Sequence, residues 1–295
     1  MRRKFDLKGA VAAAPCPEAV EMSFDELCTS YCAVVFDGAD LRTRKWRGLF
    51  GSQSAWTIAA PAICAAAEAM LAHGYKPSTV NRDVSQIGSI YKWARRRRLC
   101  PAGFVSPTAA TPRYNEAMRV VSISADEIGR LLAGALAFRD RRFAAYVRLL
   151  HDTGARKSEI LARTWADFDL DQRQIVVDRT KTGRPRVLFF SEETADLIRR
   201  VWPTRAADAL PFEGRTCGTP ISYRNKWERL VNSIGRPDLH QHDLRHHRAA
   251  ELLRAGNTIA VAAQVLGHSS LILQRRYGHL ETAHLRAAAT LSWGA

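Results

Sequence analysis

Near the C-terminal end of this sequence, a few side chains of suitable type and spacing could handle a phosphate. His242 and Arg245 stand three residues apart in the run HQHDLRHHR at positions 240–248, Leu266, Gly267 and His268 follow, and a lone tyrosine, Tyr277, comes after them. If the chain after Leu239 is helical, His242 and Arg245 share one face, so an imidazole and a guanidinium point the same way. A guanidinium binds phosphate oxygens through two parallel charge-assisted hydrogen bonds, a histidine donates or carries a proton near neutral pH, and a phenolic oxygen can attack phosphorus. Together they offer a phosphoryl-transfer site. His242 and His246, at i and i+4, also have metal-ligand spacing. However, no H-E-x-x-H order is present, no thiolate is close in sequence, and Arg245 would repel a cation, so no metal is expected.

These residues must be held by a folded scaffold, and the chain is long enough to provide one. Its 295 residues suit two domains of ordinary size. Against 29 acidic side chains it carries 44 lysines and arginines, a net charge of +15 shared by both halves, as expected of a protein that grips a polyanion from two sides. The six cysteines form no C-x-x-C pair and read as reduced thiols. The apolar run between Ala10 and Ala14 is too short for a signal peptide. The most apolar stretch, residues 58–72, is interrupted by Pro61 and Glu68 and falls short of the ~20 residues that span a bilayer. A soluble, cytoplasmic protein is expected, associated with the nucleoid when bound to DNA.

Residues 1–20 lack any sustained period and read as a flexible arm. A helical domain is expected over 21–105. Its first helix starts after Ser23, with Glu26 as capping partner, and further helices are expected at 41–50, 56–73 and 78–98. The last of these directs Val80, Val84, Ile87, Ile90, Tyr91 and Ala94 inward. Asn81, Arg82, Gln86, Lys92 and Arg95 to Arg98 are left for a basic outer rim. Pro101, Gly103, Pro107 and Pro112 punctuate the next stretch, so 106–120 reads as an interdomain linker that would let two domains close around a duplex. In the second domain, 121–295, Ser124 and Glu127 form another capping box. The period changes to that of strands at 174–177 and 186–190, joined by a turn that carries Lys181. Helices are expected again at 192–202, 222–234, 244–255, 259–266 and 282–291.

Taken singly, the candidates have ordinary explanations. Arg156 could be a solvated helix residue, Lys181 a charge that keeps a hairpin soluble, His268 a helix cap and Tyr277 a half-buried core ring. Taken in order they form a pattern. TGARKSE at 153–159, Lys181 in a short hairpin, His242 and Arg245, Leu266-Gly-His268 and Tyr277 resemble, motif by motif, the signature of the tyrosine recombinase (phage-integrase-like) family. The resemblance covers residues 21–295. It implies a mainly α fold: an N-terminal helical core-binding (SAM-like) domain, followed by a mostly helical catalytic domain with a small antiparallel β-sheet, as in DNA breaking-rejoining enzymes.

The resemblance also implies roles. Tyr277 would attack a DNA phosphodiester, leaving a 3′-phosphotyrosyl link and a free 5′-hydroxyl. Because the adduct keeps the bond energy, neither ATP nor any other cofactor is needed. A phenol of ordinary pKa near ~10 needs a cationic setting and a proton acceptor to react at neutral pH. Arg156 and Arg245 would clamp the non-bridging oxygens with His268 as a third donor. His242 would take part in proton transfer from Tyr277, Lys181 would protonate the leaving 5′-oxygen, and Glu159 would orient Arg156. The implied partner is double-stranded DNA bearing specific recombination sites. The protein would be a monomer when free and a homotetramer on DNA, with the tail at 282–293 docked on a neighbour and accessory DNA-bending proteins as possible helpers. Asn81, Arg82, Arg95, Arg96, Arg224 and Lys226 are candidate DNA contacts.

The chain departs from the family pattern at His247 and Arg248, where Thr-Phe is usual, and at 272–276, where small hydroxylated residues are common. The segment before the first domain is too short for the separate arm-site-binding domain of some integrases. Two rival readings share the chemistry or the DNA: a type IB topoisomerase, and a DNA-binding accessory protein that does not cut.

Overall fold

The computed structural model describes residues 20–35, 39–116, 119, 121–178 and 185–278, within two compact units, Met1–Arg119 and Val120–Ala295. The expected arm, Lys181 with its hairpin turn, and the expected helix at 282–291 lie outside the described residues.

In the first unit, α1 (Phe24–Val34) begins as its capping box dictates. The Glu26 amide donates to Ser23 Oγ at 3.2 Å and the Ser23 amide to Glu26 Oε2 at 2.8 Å. Helices α2 (Ala39–Phe50), α3 (Ala60–Ala72) and α4 (Pro77–Arg96) follow. Phe24, Leu27, Tyr31, Trp46, Ile63, Ile87, Ile90 and Tyr91 build their shared core. Helix α3 starts four residues later than its apolar run suggests. The preceding segment is tied down elsewhere: Ser54 bridges Ser23, and the Trp56 indole N–H donates to the Val20 carbonyl at 2.8 Å. Pro77 opens α4 rather than breaking it, because the first helical position needs no N–H.

The outer rim of α4 is narrower than expected. Asn81 and Gln86 are buried, and so is Asp83. Gln86 accepts from Arg42, Asp83 pairs with Lys45, and Asn81 holds the stretch expected to be a linker. Asn81 Oδ1 accepts from the Tyr114 amide at 3.0 Å, and its Nδ2 donates to the Tyr114 carbonyl and to Glu116. One buried side-chain amide thereby satisfies extended backbone that has no strand partner. Phe104 packs against Trp56 and Tyr91, so residues 104–116 lie on the first unit instead of running free.

The second unit opens with α5 (Ala125–Leu136), capped by Ser124 and Glu127, and α6 (Arg141–Thr153). After α7 (Lys157–Leu161) comes a three-stranded antiparallel sheet of β1 (Phe168–Asp169), β2 (Gln174–Val177) and β3 (Arg186–Phe189), in that order. Ile175 faces Leu188 across the sheet and both are buried. Helices α8 (Glu192–Val201), α9 (Arg224–Ser233), α10 (Gln241–Arg254), α11 (Ile259–Leu266) and α12 (Ser270–Tyr277) complete the described chain. The two-residue β1 carries no alternation that could announce it. Helix α10 starts at Gln241, three residues before the apolar pattern, because Asp243 caps the His240 amide. Helix α12 was not expected. Its start is polar, with Ser269 accepting from the Ile272 amide. No helix among the described residues is long and apolar enough to cross a membrane.

Candidate active site

The run TGAR works as a corner. Thr153 Oγ1 donates to the Leu149 carbonyl at 2.6 Å and accepts from the Ala155 amide at 3.0 Å, while Gly154 ends α6 at φ +58°. That backbone region favours glycine, and a Cβ there would meet Leu266 at 2.6 Å. The corner leaves the Gly154 carbonyl facing α10, where it accepts from Arg245 Nη1 at 2.8 Å, and it leaves Arg156 at the mouth of α7.

Arg156 is held on three sides. Its Nη1 donates to Glu159 Oε1 at 2.9 Å, its amide to Glu159 Oε2 at 2.7 Å, and its Nη2 to the Gly267 carbonyl at 3.3 Å. Glu159 also receives Arg186, whose other nitrogen donates to the Val265 carbonyl. Burial opposes the charge on Glu159. The Arg156 amide and the two guanidiniums outweigh it and hold the carboxyl below its usual pKa. Gly267, at φ +63°, leaves space that Arg186 occupies: an added Cβ would lie 2.8 Å from its Nη1.

Arg245 is the most deeply placed charge, with 1% of its surface exposed. Besides Gly154 it bonds His268, donating from Nε to Nε2 at 2.9 Å. Burial first, and then the cations Arg156 and Arg186, pull its pKa down to about 9, so it remains charged at neutral pH but is held against repulsion. Since His268 Nε2 accepts, the hydrogen-bond pattern assigns the ring proton to Nδ1. Burial, then Arg245 and Arg156, push the His268 pKa down to about 3, which keeps it neutral. Arg245 Nη2 and His268 Nδ1 are both buried donors with no partner among the described residues. Buried polar groups are almost always satisfied, and two unfilled donors on adjacent side chains mark the place of an acceptor.

Tyr277 ends α12. Its ring closes a small core with Leu253, Leu266 and Leu273, and its hydroxyl lies 2.7 Å from His246 Nδ1. His242 is exposed one turn earlier on α10, its ring edge-to-face with that of His246 at 4.8 Å. The fold therefore brings two hydrogen-bonded pairs, Arg156 with Glu159 and Arg245 with His268, within electrostatic reach of each other, and sets His242, His246 and Tyr277 beside them. A cavity of about 950 Å³ opens next to Arg156 and His242, floored by Tyr223 and Trp227.

Two members of the site were not singled out from sequence. Arg186 shares the alternation of β3 with the buried Leu188, which was a readable signal for an inward-facing cation. From sequence His246 reads as one half of a metal-ligand spacing or, with His247, as a helix-surface or groove contact. Of the candidate DNA contacts, Arg82, Arg95, Arg96 and Arg224 are exposed, whereas Asn81 is consumed in holding Tyr114 and Lys226 is paired with Asp140 at 2.5 Å. Among the described residues, the group able to bring three ligand atoms together for a metal is His151, His247 and Glu251, within 4.8 Å of one another. None of the predicted catalytic residues belongs to it.

Residues 122–284 match the phage integrase family. Tyrosine recombinase XerC of Mycobacterium tuberculosis is 31% identical over 235 residues, covering 72% of this chain and 76% of that protein. Tyrosine recombinase XerD of Ralstonia nicotianae is 28% identical over 224 residues, 71% of each chain. The fold is shared with the Tn1549 transposon integrase solved in complex with transposon right end DNA, at a TM-score of 0.71 and 17% identity over 92% of this chain and 100% of that one. A lambda integrase dimer bound to a COC′ core site gives 0.62 and 16% over 94% and 80%. With more than half of its length matched by the family, and its mainly helical fold with a small antiparallel sheet in common with solved integrases, the chain belongs to the phage integrase family of tyrosine recombinases.

Proposed function

We propose that Tyr277 is the nucleophile of a site-specific recombinase that cuts and rejoins DNA through a 3′-phosphotyrosyl intermediate. The observation that carries this reading is the pair of unfilled buried donors, Arg245 Nη2 and His268 Nδ1, beside a tyrosine close enough to influence Arg245. A phosphodiester supplies the missing acceptors. Its negative charge relieves the repulsion among Arg156, Arg186 and Arg245, and that relief grows as charge builds on the equatorial oxygens in the transition state. Arg156 and Arg245 grip these oxygens, with His268 as a neutral third donor and Glu159 as the anchor that aims Arg156. His242, exposed at the first turn of α10, reaches the same phosphate. Lys181 gives its proton to the leaving 5′-oxygen. Strand rejoining reverses the steps, so the energy of the broken bond is retained in the adduct and no nucleotide is consumed.

The enzyme works in the cytoplasm on double-stranded DNA carrying its recombination sites. It is a monomer when free and a homotetramer across two sites, with the tail at 282–293 docked on a neighbour and DNA-bending proteins assisting assembly. Exposed Arg82, Arg95, Arg96 and Arg224 contribute phosphate contacts. The test is an SDS-resistant protein–DNA adduct formed on nicked duplexes from the DNA flanking its own gene. The wild type should form it and Tyr277→Phe should not; equal retention in both proteins would overturn the reading. Removal of 282–295 should abolish pairing of two sites while leaving a folded monomer.

A further inference from the structure

We propose that His246 is the base that takes the proton from Tyr277, an assignment that rests on the recombinase reading above and supplies the acceptor which that reading lacks. The Tyr277 hydroxyl and His246 Nδ1 are 2.7 Å apart, the separation of a short hydrogen bond, and no rearrangement is needed to pass the proton. With the phenol as donor, Nδ1 accepts and the ring proton is assigned to Nε2. The tyrosine ring belongs to the small core with Leu253, Leu266 and Leu273, and its hydroxyl meets α10 at His246.

Among the described residues, the other groups set against His246 and Tyr277 are worse placed or unable to accept. Arg245 is a cation facing Gly154 and His268. His268 has already used Nε2 to accept from Arg245, and its surroundings of buried cations oppose a second proton. His242, the sequence-based expectation for this role, stands one turn away and presents its ring to His246 at 4.8 Å. Among the described residues, the titratable groups recorded against His246 are His242 on its own helix, His268 from the turn after α11, and Tyr277 on α12.

The step balances without a further reagent. As the Tyr277 oxygen bonds phosphorus, its proton passes to His246 Nδ1, the bond from phosphorus to the 5′-oxygen breaks, and that oxygen receives a proton from the separate acid. Rejoining returns the His246 proton to Tyr277. An imidazole ordinarily titrates near ~6.5 and a phenol near ~10, so the transfer is uphill at rest and completes only as the oxygen commits to phosphorus. This arrangement keeps Tyr277 protonated and quiet until a phosphate is seated.

His246→Asn separates proton transfer from positioning, because the Asn side-chain oxygen can occupy the place of Nδ1 and accept the hydrogen bond but cannot take the proton. In single-turnover cleavage of nicked duplexes, His246→Asn should be slower by ~10²–10³-fold at pH 7. It should also lose the rising imidazole limb of the pH–rate profile, and His242→Asn should keep that limb. Retention of the limb in His246→Asn, or its loss in His242→Asn alone, would overturn the assignment. A readout independent of cleavage is the ¹⁵N imidazole spectrum of the full chain without DNA. Tyr277→Phe should shift His246 Nδ1 and leave His151 unmoved; no shift at His246 contradicts the contact. If the wild type forms no adduct at all, the recombinase reading itself fails, whereas an adduct with an unaltered pH profile in His246→Asn sinks only this inference.

Discussion

The second unit contains two cores, and they do different work. The larger is an aromatic lattice in which Phe143, Tyr146, Phe212 and Tyr223 pack ring against ring, with Trp165 and Trp202 adjoining. It pins the start of α10 twice: Tyr146 donates to Gln241 at 2.9 Å, and the Trp227 indole donates to the Leu239 carbonyl at 2.9 Å. The smaller is the cluster of Ala249, Leu253, Ile259, Ala262, Ala263, Leu266, Leu273 and Tyr277. The large core holds up Arg156 and Arg245, the groups proposed to grip phosphate, while the small one carries Tyr277, the proposed nucleophile. Helix α12 has eight residues and leaves Leu271 and Ile272 more than half exposed. A short element with few buried contacts opens at lower free energy than the rest of its domain. Arg156 and Arg245 thus rest on the larger core, and Tyr277 on the shorter, less buried element.

The largest expected effect tests the cradle. Arg245→Lys should lower single-turnover cleavage by ~10³-fold, since one ammonium cannot reach Gly154, His268 and a phosphate together. A loss below tenfold would mean that Arg245 is structural. The next prediction tests the small core. Leu273→Ala removes a fully buried side chain and should cost about 2–4 kcal/mol, raising hydrogen exchange in α11 and α12 while α6 and α9 stay protected. Uniform exchange across both cores would erase the distinction drawn between them. Glu159→Gln leaves Arg156 and the buried Arg186 without their shared anion and should slow cleavage by ~10–100-fold, by analogy with the loss of groups that orient metal ligands. It should also destabilise the large core rather than α12.

A further effect is a pH dependence of stability. The folded His268 resists protonation down to about 3, while the unfolded chain takes up the proton near the ordinary histidine value. Between these limits the unfolded state binds more protons, so stability should fall as pH drops from about 6.5 toward 3. Urea titrations of His268→Asn should show a shallower fall over that window. An identical slope would place His268 outside the cationic cluster.

The sequence announced the chemistry more fully than the supports. Ser23 with Glu26, and Ser124 with Glu127, marked true helix starts because a capping box is a local device that needs only four residues. The inward face of α4 followed its apolar spacing for the same reason. Asn81 and Gln86 failed the same rule, as their burial depends on partners tens of residues away, Tyr114 and Arg42. Arg186 was visible as a strand residue, yet its part in the site comes from Glu159 and Val265, which no local pattern connects. His246 shows the limit most directly. Side-chain type and i, i+4 spacing suggested a metal pair, and only the position of α12, itself unannounced by a polar start, aims that ring at Tyr277.

The central claim is that Tyr277 becomes covalently joined to DNA, and mass spectrometry of the trapped adduct tests it most directly. After nuclease and protease digestion of wild-type protein stalled on a nicked duplex, the account predicts a nucleotide mass on the peptide containing Tyr277, linked through a 3′-phosphate, with a free 5′-hydroxyl on the released strand. A nucleotide on another residue, or a 5′-phosphate linkage at Tyr277, would contradict it.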